Sequence, residues 1–251
     1  MIAAALVVGL VAFARLMESG RWPGLDPLRA RWRCAAPRAK TYVRAAPGTY
    51  VYLFVLLITT WVLQTSSSTI ARQLVLERST NLHQLARDPV RVLVSSGFWV
   101  SSAWELLAWI ALFSVFVAPV EQWIGTVRTA AVFFLGHIGA TLLTAAALWA
   151  ALRADLVETS LTRTADVGAS YGFFAISAVL TYGLPGRLRG PYAAVLSLFV
   201  VGTLAIDASF TAAGHLAALT IGFASYPLVR AIPRRLRVPG ARAAVPGPTA
   251  V

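Results

Sequence analysis

Six apolar runs, each bounded by polar or turn-forming residues, confine this chain to a bundle of helices crossing a membrane. They cover residues 50–63, 103–120, 127–152, 167–184, 192–206 and 210–229, close to the roughly 20 residues that a helical crossing of the hydrocarbon core requires. The composition agrees. Hydrophobic residues make up 58% of the chain and charged residues 13%, whereas soluble domains carry about a quarter charged residues. Mean hydropathy is +0.70. The expected architecture is all-α and polytopic: a six-transmembrane-helix domain over 47–231, between an N-terminal segment, 1–46, and a basic Pro/Gly/Ala-rich tail, 232–251.

Charge in the connecting segments sets the orientation. Six crossings put both ends of the bundle on one side, and that side carries sixteen of the 22 Lys and Arg residues, eleven of them clustered at 29–44 and 230–242. Positive charge accumulates beside cytoplasmic ends, so both termini of the bundle are expected in the cytoplasm and the protein in the cell membrane. Arg is used almost to the exclusion of Lys, which suits a GC-rich bacterial genome. The net charge of +12 does not indicate nucleic acid, because the basic residues flank the apolar block and do not interleave with stacking aromatics. Residues 1–14 are apolar and lack the basic start and small-residue cleavage site of a signal peptide; they read as an extra partial helix or as the product of a mis-set start codon. Residues 17–46 are expected to be solvated at the membrane face. The 70–92 connection, of mixed polarity, is expected to be a long loop with part of it lying as an amphipathic helix in the interface, leaving His83 solvated. Cys34 is the single cysteine and is expected as a free thiol, and the tail from Pro233 is expected to be disordered. No metal cluster, nucleotide loop or cofactor motif is visible, so no cofactor is expected. Nor is there the internal repeat of a small transporter.

Two polar residues stand out inside the apolar runs. In Asp166-Val167-Gly168-Ala169-Ser170-Tyr171-Gly172 a serine lies between glycines where a polar loop becomes the fourth run. In Gly214-His215-Leu216-Ala217-Ala218 a histidine lies inside the sixth. Both runs go from outside to inside, and at 1.5 Å per residue Ser170 falls about 5 Å, and His215 about 8 Å, below the start of its helix. Gly168, Gly172 and Ala175 around the serine, with Ala218 and Gly222 after the histidine, are small enough for close helix approach. A neutral histidine within hydrogen-bond reach takes the serine proton during attack on an amide. The N–H groups of a helix start stabilise the oxyanion that forms. The bland readings are a packing serine and a histidine bonded to a neighbouring helix, against the default that an ionisable group in a membrane is functional. His137, near mid-membrane in the third run, is expected to make an interhelical hydrogen bond. Asp207 lies about 12 Å above His215 along a helix and is expected to cap the sixth helix.

Over residues 50–229 the pattern resembles the rhomboid intramembrane serine proteases. Gly168-Ala169-Ser170 matches the start of the family's Gly-x-Ser-Gly motif, with Tyr171 in place of the last glycine. His215 and Gly222 match His-x-x-Gly-x-x-x-Gly, with Ala218 replacing the middle glycine, and Glu121 and Gly125 match a Glu-x-x-x-Gly turn after the second helix. Phe174 occupies the place of an aromatic residue that packs against the histidine. The resemblance implies hydrolysis of a transmembrane protein substrate in the lipid bilayer, with Ser170 as nucleophile, His215 as general base and no aspartate. Where the family offers a His and an Asn from the second helix as oxyanion donors, Glu105 and Trp109 stand here; a register one residue off would bring in Trp104. An ionised Glu105 would repel an oxyanion and a protonated one would donate to it. Gly168, Tyr171, Phe174 and Glu105 are therefore the candidate surroundings of the oxyanion. The alternative is a catalytically silent relative that binds transmembrane client helices. Ser170 and His215 favour the enzyme, and Tyr171, Glu105 and Trp109 favour the binder.

Overall fold

A computed structural model describes residues 2–19, 23–163, 167–207 and 209–232. Asp166 and the tail from Pro233 lie outside the described residues, within which every regular element is a helix. Helices α1 (Ile2–Ser19) and α2 (Asp26–Arg44) precede the first span, α3 (Pro47–Thr65). Three short helices, α4 (Ser68–Arg78), α5 (Leu82–Arg87) and α6 (Pro89–Ser95), and a 3-10 turn at Ser96–Phe98 lead to the second span. That span is α7 (Ala103–Leu112), a π-helical segment (Phe113–Val117) and α8 (Ala118–Ile124) in one continuous run. The remaining spans are α9 (Thr126–Arg153), α10 (Ser170–Gly183), α11 (Gly186–Ile206) and α12 (Phe210–Ala224), followed by the single turn α13 (Tyr226–Val229).

All six apolar runs are helical, and the departures lie between and at the ends of them. Residues 17–46 hold all of α2, with Pro37 inside it, a helix exposed along most of its length. The 70–92 connection is helical almost throughout. The reason is local: Ser67, Asn81 and Asp88 each accept from the backbone N–H three residues on, starting α4, α5 and α6 in turn. Such N-caps offset the unpaired donors of a helix start. His83 is exposed, as is Cys34.

The bundle is organised around α10. Twelve of its fourteen residues are buried, all but Ser170 and Tyr182. A helix with no polar face belongs in the middle of a protein. Lipid gives helices no reason to separate from it and associate, so close van der Waals packing must hold them together. Gly136 of α9 faces Ala175, whose Cβ occupies the space a side chain at 136 would need. Gly222 of α12 meets the Ala175 carbonyl, and a Cβ there would lie 2.7 Å from Ala178 Cβ. Gly172, by contrast, meets the Phe133 ring of α9. Of the small residues around Ser170, Ala175 therefore serves both α9 and α12, while Gly172 serves α9. Above this contact an aromatic layer fills the centre, where Phe113 stacks on Tyr52 at 5.2 Å and on Phe173 at 5.8 Å.

Two devices tie the N-terminal side to the bundle. In the π-helical segment Ala118 N–H bonds the Phe113 carbonyl. The next bond in that pattern would need an N–H at position 119, which is Pro119 and has none. The stranded Ser114 carbonyl instead accepts from Tyr42 Oη of α2 at 2.6 Å. Tyr42→Phe is expected to lower stability by about 1 kcal/mol, since a half-buried acceptor loses its partner, measurable as a drop in Tm in detergent. A Tm within 1 °C of the wild type would mean that the carbonyl finds another donor. The second device is Glu121, 3% exposed. Its Oε1 accepts from Gly48 N–H at 2.7 Å and Thr126 Oγ1 at 2.6 Å, and its Oε2 from Thr49 N–H at 2.7 Å and Thr49 Oγ1 at 2.6 Å. Both carboxyl oxygens are fully used, and the first turn of α3 gains the acceptor that its N-cap, Ala46, does not supply. Gly125, at φ +83°, makes the turn from α8 into α9 in the left-handed region where a Cβ is penalised.

Candidate active site

Gly168, at φ +140°, turns the chain into α10, and its N–H donates to the Ser96 carbonyl at 3.0 Å. This turn stops the helix from starting at Val167, so Ser170 is its first residue and does not lie a turn inside it. Among the described residues no side chain caps this start. Ser170 is half-buried, above an otherwise buried helix. His215 is the sixth residue of α12, about 8 Å from its first residue.

Phe174 links the two residues. Residues four apart on a helix lie on the same side, so Phe174 stands directly under Ser170. The Phe174 ring packs against the His215 imidazole with centroids 4.7 Å apart. Tyr171 meets the same imidazole edge-on at 5.6 Å and 75°. His215 is thus held against α10 between Phe174 and Tyr171, the residues one turn after and next to Ser170. Its Nε2 is buried and has no hydrogen-bond partner among the described residues. The ring of Tyr171 fills the space beside Gly214 that any side chain there would need, and so stands between the start of α10 and the residue preceding the histidine.

A second histidine lies on the other side of Tyr171. His137 of α9, 2% exposed, is hydrogen-bonded through Nε2 to Ser96 Oγ at 3.0 Å. Its ring lies 6.3 Å from both Phe133 and Tyr171. Through Ser96 it holds the 3-10 turn that in turn holds Gly168. Ser96 escaped the sequence reading, because no spacing signal connects residues 41 positions apart.

Glu105 and Trp109 are committed to each other. Ser102 caps α7, its Oγ accepting from Glu105 N–H at 3.1 Å, and Glu105 Oε2 reaches back to accept from Ser101 N–H, the residue before the cap, at 2.9 Å. Glu105 Oε1 accepts from Trp109 Nε1 at 3.3 Å, and the Trp109 ring packs on Phe173 of α10 at 5.4 Å. Trp104 is 74% exposed and faces away from the interior. Asp207 is exposed and ends α11, while Ser209 Oγ caps α12 by accepting from Ala212 N–H at 3.2 Å. The expected cap therefore moves two residues, because Ser209 is the residue directly before the first helical position.

The family model of rhomboid-like proteins matches residues 41–235, from the end of α2 to just past α13. The chain belongs to the rhomboid-like family. No curated protein and no solved structure matches it. In this rhomboid-like protein the matched region takes in all six spans, the Glu121 anchor and both candidate residues. It is a multi-pass membrane protein: α3, the second span, α9 and α11 are each long and apolar enough to cross a bilayer. The spans carrying Ser170 and His215 are the short ones, with 14 and 15 residues, or roughly 21–23 Å against a hydrocarbon core of about 30 Å.

Proposed function

We propose that this rhomboid-like protein is an intramembrane serine protease of a bacterial cell membrane, with the ends of its bundle in the cytoplasm. Ser170 Oγ attacks a peptide carbonyl of a transmembrane substrate while His215 Nε2 takes its proton. The proton then passes to the departing amine, and water releases the acyl group from Ser170 by the reverse sequence. The uncapped start of α10 faces the oxyanion. The observation that carries the reading is the seating of His215 on Phe174, one turn below Ser170, with Nε2 unpartnered. Shortness supplies the second requirement. A helix about 9 Å shorter than the membrane core leaves its first residue below the surface, in a recess that water can fill. Covalent labelling of the detergent-purified protein with a fluorophosphonate probe tests the reading; a folded protein that stays unlabelled beside an active rhomboid control defeats it.

Tyr171 favours a second reading, in which the protein binds transmembrane client helices without cutting them. Its ring holds the start of α10 away from Gly214, and the pairing of Glu105 with Trp109 leaves the second span without a free donor on those residues. Tyr171→Gly separates the readings. In a protease restrained by this ring, removing it lets Ser170 and His215 draw together, and labelling should rise by up to about tenfold, the worth of one hydrogen bond of about 1–1.5 kcal/mol. In a client binder neither form is labelled.

A further inference from the structure

A cleft of about 200 Å³ lies between α3 and α9, floored by Phe113, Val117 and Glu121 of the second span. Along α3 it runs from Gly48 to Val55, about 10 Å. Val51, Thr126 and Ala130 on its rim are exposed, so it opens sideways where lipid surrounds the bundle. Its polar groups are already spent. Thr49 and Thr126 donate to Glu121, Thr129 donates to the Gly125 carbonyl and Tyr52 to the Gly97 carbonyl. The cleft therefore presents an apolar wall, and water entering it would find few of the two to four partners it needs. A helix, 10–12 Å across with its side chains, is far too large for it. Room for about seven groups the size of a water molecule and a length of about 10 Å match one slender hydrocarbon chain.

Charge identifies what is attached to that chain. At the Glu121 end the starts of α3 and α9 touch, since a Cβ on Gly48 would come within 2.6 Å of Thr126 Cγ2. Arg44 ends α2, four residues before Gly48 across the break at Ala45–Ala46, and Arg128 lies two residues after Thr126 in α9, so both sit near this end of the cleft without lining it. Both are exposed and neither takes part in the ion pairs found among the described residues. Arg128 Nη1 reaches the Ile124 carbonyl only at 3.5 Å, which leaves the guanidinium available to another partner. We infer that the cleft between α3 and α9 is a phospholipid site, taking part of one acyl chain beside Phe113, Val117 and Ala130, with the phosphate between Arg44 and Arg128.

Native mass spectrometry of the full chain in detergent micelles doped with phosphatidylglycerol tests the assignment. The wild type should retain one phospholipid. Ala130→Trp, which fills the cleft, should abolish retention, and Arg44→Gln with Arg128→Gln should weaken it by about fivefold for each cation lost. The arginine pair is on the surface and leaves the fold intact, so it decides the matter even where the tryptophan disturbs packing. A wild type that retains no phospholipid, or an arginine pair that changes nothing, overturns the site. So does binding that depends on the arginines alone and survives in a folded Ala130→Trp protein, which would mark a headgroup held without its chain. A polypeptide cross-linked in the cleft in place of lipid would overturn it as well.

Discussion

Ser170→Ala is expected to abolish fluorophosphonate labelling, and His215→Ala to slow it by about 10²–10⁴-fold, the usual contribution of a positioned general base. The two losses have different causes. Without Ser170 there is no oxygen to carry the probe; without His215 the oxygen remains but keeps its proton. Ser170→Ala should cost little stability, whereas His215→Ala removes the ring packed on Phe174 and Tyr171 and should lower Tm somewhat. Ser170 is half-buried at a helix end, and its removal leaves no orphaned partner, because His215 Nε2 has none to lose. A wild-type Tm with labelling gone in Ser170→Ala, and a folded His215→Ala protein with labelling strongly slowed, are therefore the results to look for. Persistent labelling of Ser170→Ala would place the reactive nucleophile elsewhere and end the proposal.

Glu121→Ala is expected to be the most destabilising single substitution outside the aromatic core. The carboxyl group receives four hydrogen bonds from three residues. The two hydroxyls can turn to other acceptors, but the Gly48 and Thr49 amides cannot. Each orphaned donor costs about 1–3 kcal/mol, and α3 loses the negative group at its positive end, about 0.3–1 kcal/mol more. A total of about 4 kcal/mol corresponds to a fall in Tm of roughly 10 °C for a chain of this size. Differential scanning fluorimetry in detergent reads it directly. A fall under about 2 °C would show that the N-terminus of α3 is held by its contacts with neighbouring helices and not by the carboxylate.

The spans were legible because an apolar run bounded by polar residues has one solution in a membrane. Their ends were not. Val167 is apolar and reads as helix, yet Gly168 in the left-handed region delays α10 until Ser170. The 70–92 connection looked like a loop because its polarity is mixed; what makes it helical is three well-spaced capping residues, a signal visible at Ser67, Asn81 and Asp88 once hydropathy is set aside. The turn at Glu121–Gly125 was recognisable as a motif, but its purpose was hidden. The donors it satisfies lie 72 and 73 residues earlier, and no local pattern reaches that far. At the candidate site, Ser170, Phe174 and His215 were readable because helical spacing alone sets the first two on one face. Where the ring of Tyr171 goes, and that Ser96 binds His137, depends on how three helices meet.

The burial of α10 has a consequence for the membrane around the protein. A helix enclosed on all sides by protein has no lipid boundary of its own, so hydrophobic mismatch cannot act on it directly. Thicker or thinner bilayers press instead on the outer helices, above all on α11, of whose 21 residues only Val200 is buried. That helix is free to tilt as the bilayer demands, while the depth of Ser170 is fixed by its packing against α9 and α12. The protein thus carries its own ruler for the position of the serine, and the outer helices serve as the compliant element between that ruler and the lipid.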